Sequence, residues 1–350
     1  FIYIYKNIST TTLLSPPPLS HDTTQNQSSS SITNEHPMTV SLSHIASLAS
    51  SSTRREHTRV GEKMEKDGKL GYDVEKLRRD EFTRLKDGEV FLDHAGTALY
   101  SERQLRDAIA DMTSASFGNP HSKGPSSMRT LRRVRESRKM ILEHFHTNEK
   151  EYAVVFTSGA TEALKTVGES FEWQDSFRYL AQSHNSLVGV REYAMESKVK
   201  VEAVTSWKEF AEYYDTPSSS SSSNHLAAFP AECNFSGLKY DLSVIERIHK
   251  ASPRNYVLLD AAKFAATDVL NLSKWKPDFV SVSFYKIFGY PTGIGALLVR
   301  RSSAERLRRR NYFGGGTVLV ATPIPVKHKD RDGFLTIRKE TVEESFEDGT

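Results

Sequence analysis

Lys286 is the residue of this sequence whose position most strongly suggests chemistry. It comes just after the apolar run Phe279–Val282 and just before the glycine-rich stretch Gly289–Gly293. A lysine held at the end of a buried strand is shielded from water, which lowers its pKa and frees its amine for imine formation. A surface lysine is the ordinary alternative at any single position, so the interpretation depends on the groups that accompany Lys286.

Three other predicted strand ends carry groups that complement such a lysine. Thr157–Ala163 opens a helix with small and hydroxyl residues, which could receive a phosphate, although an ordinary helix cap looks the same. Asp260 ends the apolar run Tyr256–Leu259, and a carboxylate there is costly to bury unless it meets a cation. His184 follows a third run, where a lone histidine is more often structural.

The order of these groups along the chain favours one cofactor. A phosphate-binding turn, a histidine, a carboxylate and a lysine each follow a strand, and together they suit pyridoxal 5′-phosphate (PLP). A protonated pyridine nitrogen would be the cation that Asp260 needs, and this pair would keep the ring an effective electron sink. The sequence therefore predicts a PLP site with Lys286 as the Schiff-base lysine.

Short apolar runs and helical segments alternate after residue 150. This alternation predicts an α/β domain with a mainly parallel sheet, helices on both faces and ligands at the carboxyl ends of the strands. The predicted strands are Tyr152–Phe156, Arg178–Ala181, Val199–Val204, Leu226–Phe229, Tyr256–Leu259, Phe279–Val282 and Ala296–Val299, and the predicted helices between them include Thr161–Ser170, Leu187–Met195 and Leu242–Lys250.

Two amphipathic helices are predicted upstream of the sheet. Leu105, Ala108, Ile109 and Met112 recur at helical spacing in the first. The second carries apolar residues from Leu131 to Phe145 on one side. Its other side is basic and is expected to be a solvated face, with Arg129, Arg132, Arg133, Arg135, Arg138 and Lys139.

Composition divides the chain into three parts. Residues 1–65 are rich in Ser, Thr and Pro without apolar periodicity, so we expect a disordered extension. A transit peptide would look similar, and so would an untranslated region of the transcript that has been read through as protein. Residues 66–350 are expected to form the folded PLP-dependent domain. Within it, residues 214–224 contain a serine run that predicts a surface loop.

Charge and cysteine usage limit the function classes. The net charge of +3 is too small to indicate a nucleic-acid partner. No apolar run reaches the roughly 18–20 residues of a membrane-spanning helix. The single cysteine, Cys233, excludes an internal disulfide and is typical of a reducing, cytoplasmic protein.

Several longer motifs resemble the class V aminotransferase and cysteine desulfurase family, and most closely the amino-terminal domain of its molybdenum cofactor sulfurase branch. The resemblance runs from about residue 70 to the end of the sequence. It implies a fold-type-I PLP-dependent transferase whose small carboxy-terminal subdomain is truncated. The motifs are Phe91–Ala98, Gly118–Ser122, Cys233–Gly237, Ser283–Gly293, Gly314–Val318 and Phe346–Thr350.

The resemblance also implies a role for each site residue. Lys286 would carry the cofactor and move protons, His184 would stack on its ring, and Asp260 would pair with the ring nitrogen. The phosphate would be held by Ala160, Thr161, Ser283 and Tyr285, the last standing where desulfurases usually have histidine. Asn234 would approach the ring hydroxyl, and Thr317 would reach the phosphate of a neighbouring subunit in a homodimer. Lys263 replaces a common glutamine, which puts its contact with the ring in doubt.

The implied reaction moves sulfur from L-cysteine to the molybdenum cofactor, leaving L-alanine and an enzyme persulfide on the way. The final acceptors would be xanthine dehydrogenase and aldehyde oxidase. The nucleophilic cysteine, the arginine for the substrate carboxylate and the domain that binds the molybdenum cofactor are expected beyond residue 350, so the sequence is interpreted as a fragment. Cys233 is expected to be a packed residue.

Two other functions remain open at this point. An aminotransferase or carbon–carbon lyase on the same scaffold would need no nucleophilic cysteine. A degenerate, non-catalytic interaction module could use the basic helix, although Lys286 in its motif argues against that function.

Overall fold

The computed structural model describes residues 73–216, 223–308, 312–326 and 333–347. The predicted disorder of residues 1–65 lies outside these ranges, and so does most of the predicted loop 214–224. Residues 73–89 contain helix α1 (Val74–Glu81), capped by Asp73, and a short 3₁₀ turn at Thr83–Leu85. The residues from Val90 onward form a compact unit that contains all the remaining elements.

A seven-stranded sheet organises this unit. Its strands are β1 (Tyr152–Thr157), β2 (Ser176–Leu180), β3 (Lys200–Val204), β4 (His225–Pro230), β5 (Asn255–Asp260), β6 (Phe279–Ser283) and β7 (Gly295–Arg300). The order across the sheet is β1-β7-β6-β5-β4-β2-β3. All neighbours are parallel except those of β7, which runs antiparallel to both β1 and β6. The prediction of a mainly parallel sheet is therefore confirmed.

The helices precede or connect these strands. They are α2 (Glu102–Ser114), α3 (Pro125–His144), α4 (Ala160–Ser170), α5 (Asn185–Val188), α6 (Val190–Glu196), α7 (Trp207–Glu212), α8 (Val244–Ala251), α9 (Leu272–Trp275), α10 (Phe284–Phe288) and α11 (Val342–Phe346). Short 3₁₀ helices lie at Tyr213–Asp215, Phe264–Ala266 and Arg301–Arg306, and a two-stranded ribbon pairs β8 (Val318–Ala321) with β9 (Thr336–Arg338).

Two hydrophobic cores cover the two faces of the sheet. One contains Ile141 and Phe145 from the end of α3 and Ile245 from α8, packed on strand residues such as Phe229. The other contains Leu164 and Val167 from α4, together with residues of α6. Successive strand residues alternate between the two cores, as the pleat requires. Helices therefore lie on both faces, as the sequence predicted.

The sequence-based boundaries need one correction among the helices. The segment Leu187–Met195 was predicted as one helix, but the structure has two, α5 and α6, which meet at Gly189. Gly189 closes α5 by donating its N–H to Asn185 O, and Glu192 N donates to Gly189 O to open the next turn. A polar–apolar pattern cannot distinguish such a junction from a continuous helix.

The upstream helices differ from the simple amphipathic prediction. Ile109 and Met112 of α2 are 56% and 61% exposed, so much of the predicted apolar face is uncovered within the chain. The basic side of α3 is not wholly solvated. Arg133 pairs with Asp111, and Arg138 pairs with Glu347, whose other carboxylate oxygen accepts from Phe156 N. Arg138 thus joins α3 to the carboxy-terminal segment and to β1.

Within the described ranges, no helix combines the length and the apolar content needed to cross a membrane.

A buried histidine holds the beginning of β4. The two ring nitrogens of His225 lie 2.7 Å from Ser176 Oγ and 2.9 Å from Tyr214 Oη. Burial lowers the pKa of His225 to about 4, and burial lowers that of His144 to about 4 as well. Both rings are therefore neutral in the folded chain at neutral pH.

These two histidines predict a pH-dependent stability. Between pH 6.5 and about 4 the unfolded chain binds a proton at each ring that the folded chain does not, so the free energy of unfolding falls as the pH falls through this window. The contribution of His225 should reach about 3 kcal/mol. Denaturant unfolding at several pH values measures this effect. Between pH 4.5 and 6.5, the free energy of unfolding should depend less steeply on pH in His225→Gln than in the unchanged chain. An unchanged slope would contradict this explanation.

The start of β7 approaches the turn after β1 too closely for a side chain. A Cβ added at Gly295 would lie 2.4 Å from Val282 O and 2.7 Å from Gly159 Cα. Both neighbours are backbone atoms of packed elements, so neither can move away easily. Gly295 therefore allows the β1–α4 turn to lie next to the end of β6.

We predict that Gly295→Ala destabilises the protein by about 1–3 kcal/mol because it overpacks this junction. Gly315→Ala is the matched control, since a Cβ at Gly315 would have no atom within 4 Å. Urea unfolding of both variants measures the effect. Equal midpoints for the two variants would show that the junction is not closely packed.

Candidate functional site

A cleft of about 460 Å³, open to solvent, lies at the carboxyl ends of strands β4, β5 and β6 and beside the first turn of α4. Its position agrees with the expectation for a parallel sheet. Nearly all the site residues predicted from the sequence line it. The lining consists of Ala160, Thr161, Leu164, His184, Ser186, Pro230, Glu232, Asn234, Asp260, Ala262, Lys263, Ser283, Tyr285 and Lys286.

Lys286 is positioned by the short helix that follows β6. Phe284 and Phe288 of α10 are buried and stack with ring centroids 5.9 Å apart, which anchors one side of the helix in the core. Lys286 lies between them in sequence and is half-buried in the cleft, where its Nζ donates to Asn234 Oδ1 at 2.8 Å. The buried side of α10 therefore fixes the backbone of Lys286, and Asn234 fixes its amine.

Burial shifts the pKa of Lys286 downward, and the charges around the amine act in both directions. Burial lowers its pKa, and the Lys263 ammonium acts in the same direction, while Asp260 and Asp93 oppose them. Burial is the largest of these effects. The prediction that a strand-end lysine would have a lowered pKa agrees with this balance.

The segment before α2 and the first turn of α2 hold the turn that carries Lys286 by hydrogen bonds. Ala98 N donates to Tyr285 O at 3.0 Å, and Gln104 Nε2 donates to Phe288 O and to Tyr290 O. Gly289 has a φ of +78°, and a Cβ there would lie 2.4 Å from Ala98 O. Sequence reasoning singled out Phe91–Ala98 as a motif but did not assign it this contact.

Asp260 is buried at the end of β5 and is fixed by two donors on one oxygen. Ser281 Oγ and Ala262 N both donate to Asp260 Oδ1, at 3.0 and 3.1 Å. This arrangement orients the carboxylate in the cleft and leaves Oδ2 available to a cation. A carboxylate buried in this way is stabilised by such a partner.

The first turn of α4 forms the opposite end of the cleft. Ala160 N donates to Ser283 Oγ at 3.2 Å, and the hydroxyls of Thr161 and Ser186 lie 2.8 Å apart. Gly159, which precedes the helix, has a φ of +149°, and a Cβ there would lie 3.6 Å from the Tyr285 ring. Backbone N–H groups, hydroxyls and the positive end of an eleven-residue helix are therefore grouped at one place, which suits an anion.

His184 caps the helix that follows β2 while its ring lines the cleft. Ser186 N donates to His184 Nδ1 at 3.2 Å, which in a neutral ring assigns the proton to Nε2. The structural and the site roles of this histidine are thus combined, since the cap fixes the ring next to Ser186 and Thr161.

Glu232 and Lys263 form an ion pair in the same cleft. Glu232 is 5% exposed, its Oε1 lies 3.8 Å from Lys263 Nζ, and its Oε2 accepts from Thr267 Oγ1. Sequence reasoning missed Glu232 and left Lys263 without a role. The available signal was a glutamate two residues after the strand end at Pro230, next to Asn234.

One predicted site residue, Thr317, lies outside the cleft lining. Thr317 is fully buried, and its hydroxyl donates to Gly314 O at 2.8 Å, so this loop would have to open before Thr317 could reach a neighbouring subunit. Cys233 is 7% exposed, and its Sγ accepts from Ser236 N. Cys233 is a packed residue beside Asn234, as expected.

The sequence relatives of this chain include molybdenum cofactor sulfurases. The chain is 42% identical over 312 residues to molybdenum cofactor sulfurase of Solanum lycopersicum, covering 79% of this chain and 37% of that protein. It is 40% identical over 331 residues to molybdenum cofactor sulfurase of Homo sapiens, covering 87% of this chain and 36% of that protein. The chain thus spans little more than a third of the length of these relatives.

Solved structures show the same architecture at low sequence identity. The apo cysteine desulfurase from Thermococcus onnurineus NA1 superposes with a TM-score of 0.62 at 21% identity, covering 80% of this chain and 67% of that one. The cysteine desulfurase CsdA from Escherichia coli gives a TM-score of 0.58 at 23% identity, covering 79% of this chain and 70% of that one. The fold is accordingly that of fold-type-I PLP enzymes.

The family Aminotransferase class-V matches residues 90–329, which include every lining residue of the cleft. This match covers more than half of the chain and includes both the seven-stranded sheet and the cleft. The chain belongs to the class V aminotransferase family, whose cofactor is PLP.

Proposed function

We propose that this chain is the PLP-binding part of an enzyme that takes sulfur from L-cysteine and passes it toward the molybdenum cofactor. One observation carries the proposal: Lys286, Asp260 and the first turn of α4 meet in a single cleft, at the positions where an amine, a carboxylate and an anion-binding helix end are needed. The molybdenum cofactor sulfurase relatives support the choice of sulfur transfer over other class V reactions.

The residues of the cleft fit PLP. Asp260, with Oδ1 satisfied by Ser281 and Ala262, offers Oδ2 to a protonated ring nitrogen. Ala160, Thr161, Ser283 and Tyr285 surround the place suited to the phosphate. His184 is the ring that would lie against the cofactor, and Asn234 would face its hydroxyl group.

The proposed chemistry depends on the amine of Lys286. When bound, PLP supplies an electron sink for the amino acid attached to it. The Lys286 amine, whose pKa burial lowers, would be the base that takes the Cα proton of L-cysteine, and it would return protons to the carbon skeleton as the C–S bond breaks and L-alanine is formed. The sulfur goes to a cysteine thiol, which becomes a persulfide. Asp260, oriented by its two donors, would pair with the ring nitrogen.

The accepting thiol in this proposal is not Cys233. Cys233 is the only cysteine of the sequence, it is buried, and its sulfur is engaged by Ser236 N. The acceptor thiol and the arginine for the substrate carboxylate are therefore assigned to polypeptide other than the residues described here. In the complete system the final acceptors would be xanthine dehydrogenase and aldehyde oxidase in the cytoplasm. Residues 66–350 would act as one domain in a homodimer to which Thr317 contributes.

Cys233 is the only cysteine of the given sequence, so a reaction that needs no nucleophilic thiol is the second candidate function. A class V aminotransferase or lyase reaction would use the same lysine and carboxylate without any nucleophilic thiol. Product analysis with L-cysteine and an added acceptor thiol distinguishes the two, because these reactions would give a keto acid, whereas sulfur transfer gives L-alanine.

The assignment of Lys286 is tested by trapping. Incubation of the chain with PLP followed by borohydride should attach a pyridoxyl group to the peptide containing Lys286, because its partly buried amine lines the same cleft as Asp260. Lys286→Ala should lose both this group and the visible absorption band. Lys139→Ala, an exposed position on α3, is the matched control. Persistence of the band in Lys286→Ala would contradict the assignment.

The role given to Cys233 makes a separate prediction. After incubation with PLP and L-cysteine, mass spectrometry should find no added sulfur on Cys233, because the thiol is buried and hydrogen-bonded. Cys233→Ala should bind PLP as the unchanged chain does. A persulfide on Cys233 would show that the chain carries its own acceptor, which is the opposite of the proposal.

A further inference from the structure

Residues 231–240 form a small hairpin beside the cleft, and Asn234 lies near its tip. Backbone hydrogen bonds join the two arms of the hairpin, and Glu232 pairs with Lys239 across it as an antiparallel bridge. Lys286 Nζ donates to Asn234 Oδ1 at 2.8 Å. The position of this amide oxygen, and with it the contact to the lysine, therefore depends on how the hairpin is held.

Glu232 attaches one arm of the hairpin to the turn that follows β5. Its Oε2 accepts from Thr267 Oγ1, and its Oε1 lies 3.8 Å from Lys263 Nζ. These two partners lie on either side of the 3₁₀ helix Phe264–Ala266, and the Glu232 side chain is only 5% exposed. A buried acceptor that loses its donor regains little water in exchange, so this attachment is costly to break.

A second contact joins the other arm of the hairpin to the same turn. Lys239 Nζ lies 3.0 Å from Asp268 Oδ2 and 5.6 Å from the centre of the Phe264 ring. The side chains of this ion pair are 36% and 47% exposed, and exposed ion pairs contribute little to stability. The buried contacts of Glu232 are therefore the stronger determinant of where the hairpin lies.

We infer that Glu232 is a positioning residue, which attaches the hairpin to the turn after β5 so that Asn234 meets the Lys286 amine. The inference rests on the proposed function, in which Lys286 supplies the reacting amine. It gives Thr267 a part in the same role, because its hydroxyl holds the Glu232 carboxylate. Both residues act on the lysine through Asn234, so combined substitutions test the inference.

The test follows the Lys286 amine without any cofactor. The full chain is treated with formaldehyde and cyanoborohydride at one fixed pH, and mass spectrometry measures the methylation rate of Lys286 relative to exposed Lys139. Only a neutral amine reacts, and an oxygen acceptor stabilises an ammonium more than a neutral amine. Asn234→Leu removes this acceptor and keeps the bulk of the side chain. It should therefore raise the relative rate at Lys286 by about fivefold, the value of one ordinary hydrogen bond.

Substitutions of Thr267 separate the hydroxyl from the shape of the side chain. Thr267→Val loses the hydroxyl and should raise the relative rate at Lys286, whereas Thr267→Ser keeps the hydroxyl and should leave it unchanged. When Asn234→Leu is already present, adding Thr267→Val should change nothing further, because the contact through which it acts is gone. Glu232→Gln gives up the ion pair with Lys263 and should act in the same direction; it replaces Thr267→Val in the cycle if that variant fails to fold.

Ser303→Ala is the matched control for lost stability. Ser303 Oγ donates to the buried carboxylate of Asp278, which precedes β6 at the end opposite the cleft. This variant loses a buried hydroxyl-to-carboxylate hydrogen bond of the same kind, away from Asn234. The relative methylation rate of Lys286 should therefore stay as it is in the unchanged chain.

The outcomes are distinct from those of the PLP experiments. The inference would be overturned by an unchanged rate at Lys286 in Thr267→Val and Glu232→Gln, by full additivity with Asn234→Leu, or by an equal rise in Ser303→Ala. None of these results bears on PLP trapping at Lys286. Failure of trapping would overturn the proposed function but would leave the measured coupling between Thr267 and Asn234 standing.

Discussion

The site depends on partly shielding one amine from water at the end of a buried strand. Shielding Lys286 has a cost, and several unrelated parts of the chain contribute to meeting it. The aromatic pair Phe284 and Phe288 anchors the turn in the core, and hydrogen bonds from Ala98 and Gln104 hold it from outside. Gly295 admits the neighbouring turn. The interior of the sheet is thus arranged around the junction where β6 ends.

Much of the fold was predictable because buried parallel strands are apolar throughout. All seven predicted strands are present, with ends that differ by one or two residues. Asp260 and Ser283 could be placed because each follows directly on such a run, and Lys286 because it comes four residues after one. The antiparallel direction of β7 was not visible, since an apolar run carries no information about strand direction. The junction at Gly189 was missed for a similar reason.

The part of the site that could not be predicted consists of contacts between distant residues. A hydrogen bond joins Thr97 to Tyr285 across 188 residues, and nothing in either local sequence indicates the other. Glu232 looks like an ordinary loop glutamate until the structure shows it buried against Lys263 and Thr267. Lys263 was noted only as a departure from a familiar pattern. The ion pair that Lys263 forms with Glu232 is apparent only once both residues are located in space.

A crystal structure of the chain with PLP tests the central claim most directly. The account predicts continuous electron density from Lys286 Nζ to the cofactor, the ring nitrogen within hydrogen-bonding distance of Asp260, and the phosphate at the first turn of α4. Lys263 should remain unmodified and paired with Glu232. Cofactor density joined to Lys263, or a phosphate bound away from Ala160 and Thr161, would contradict the account.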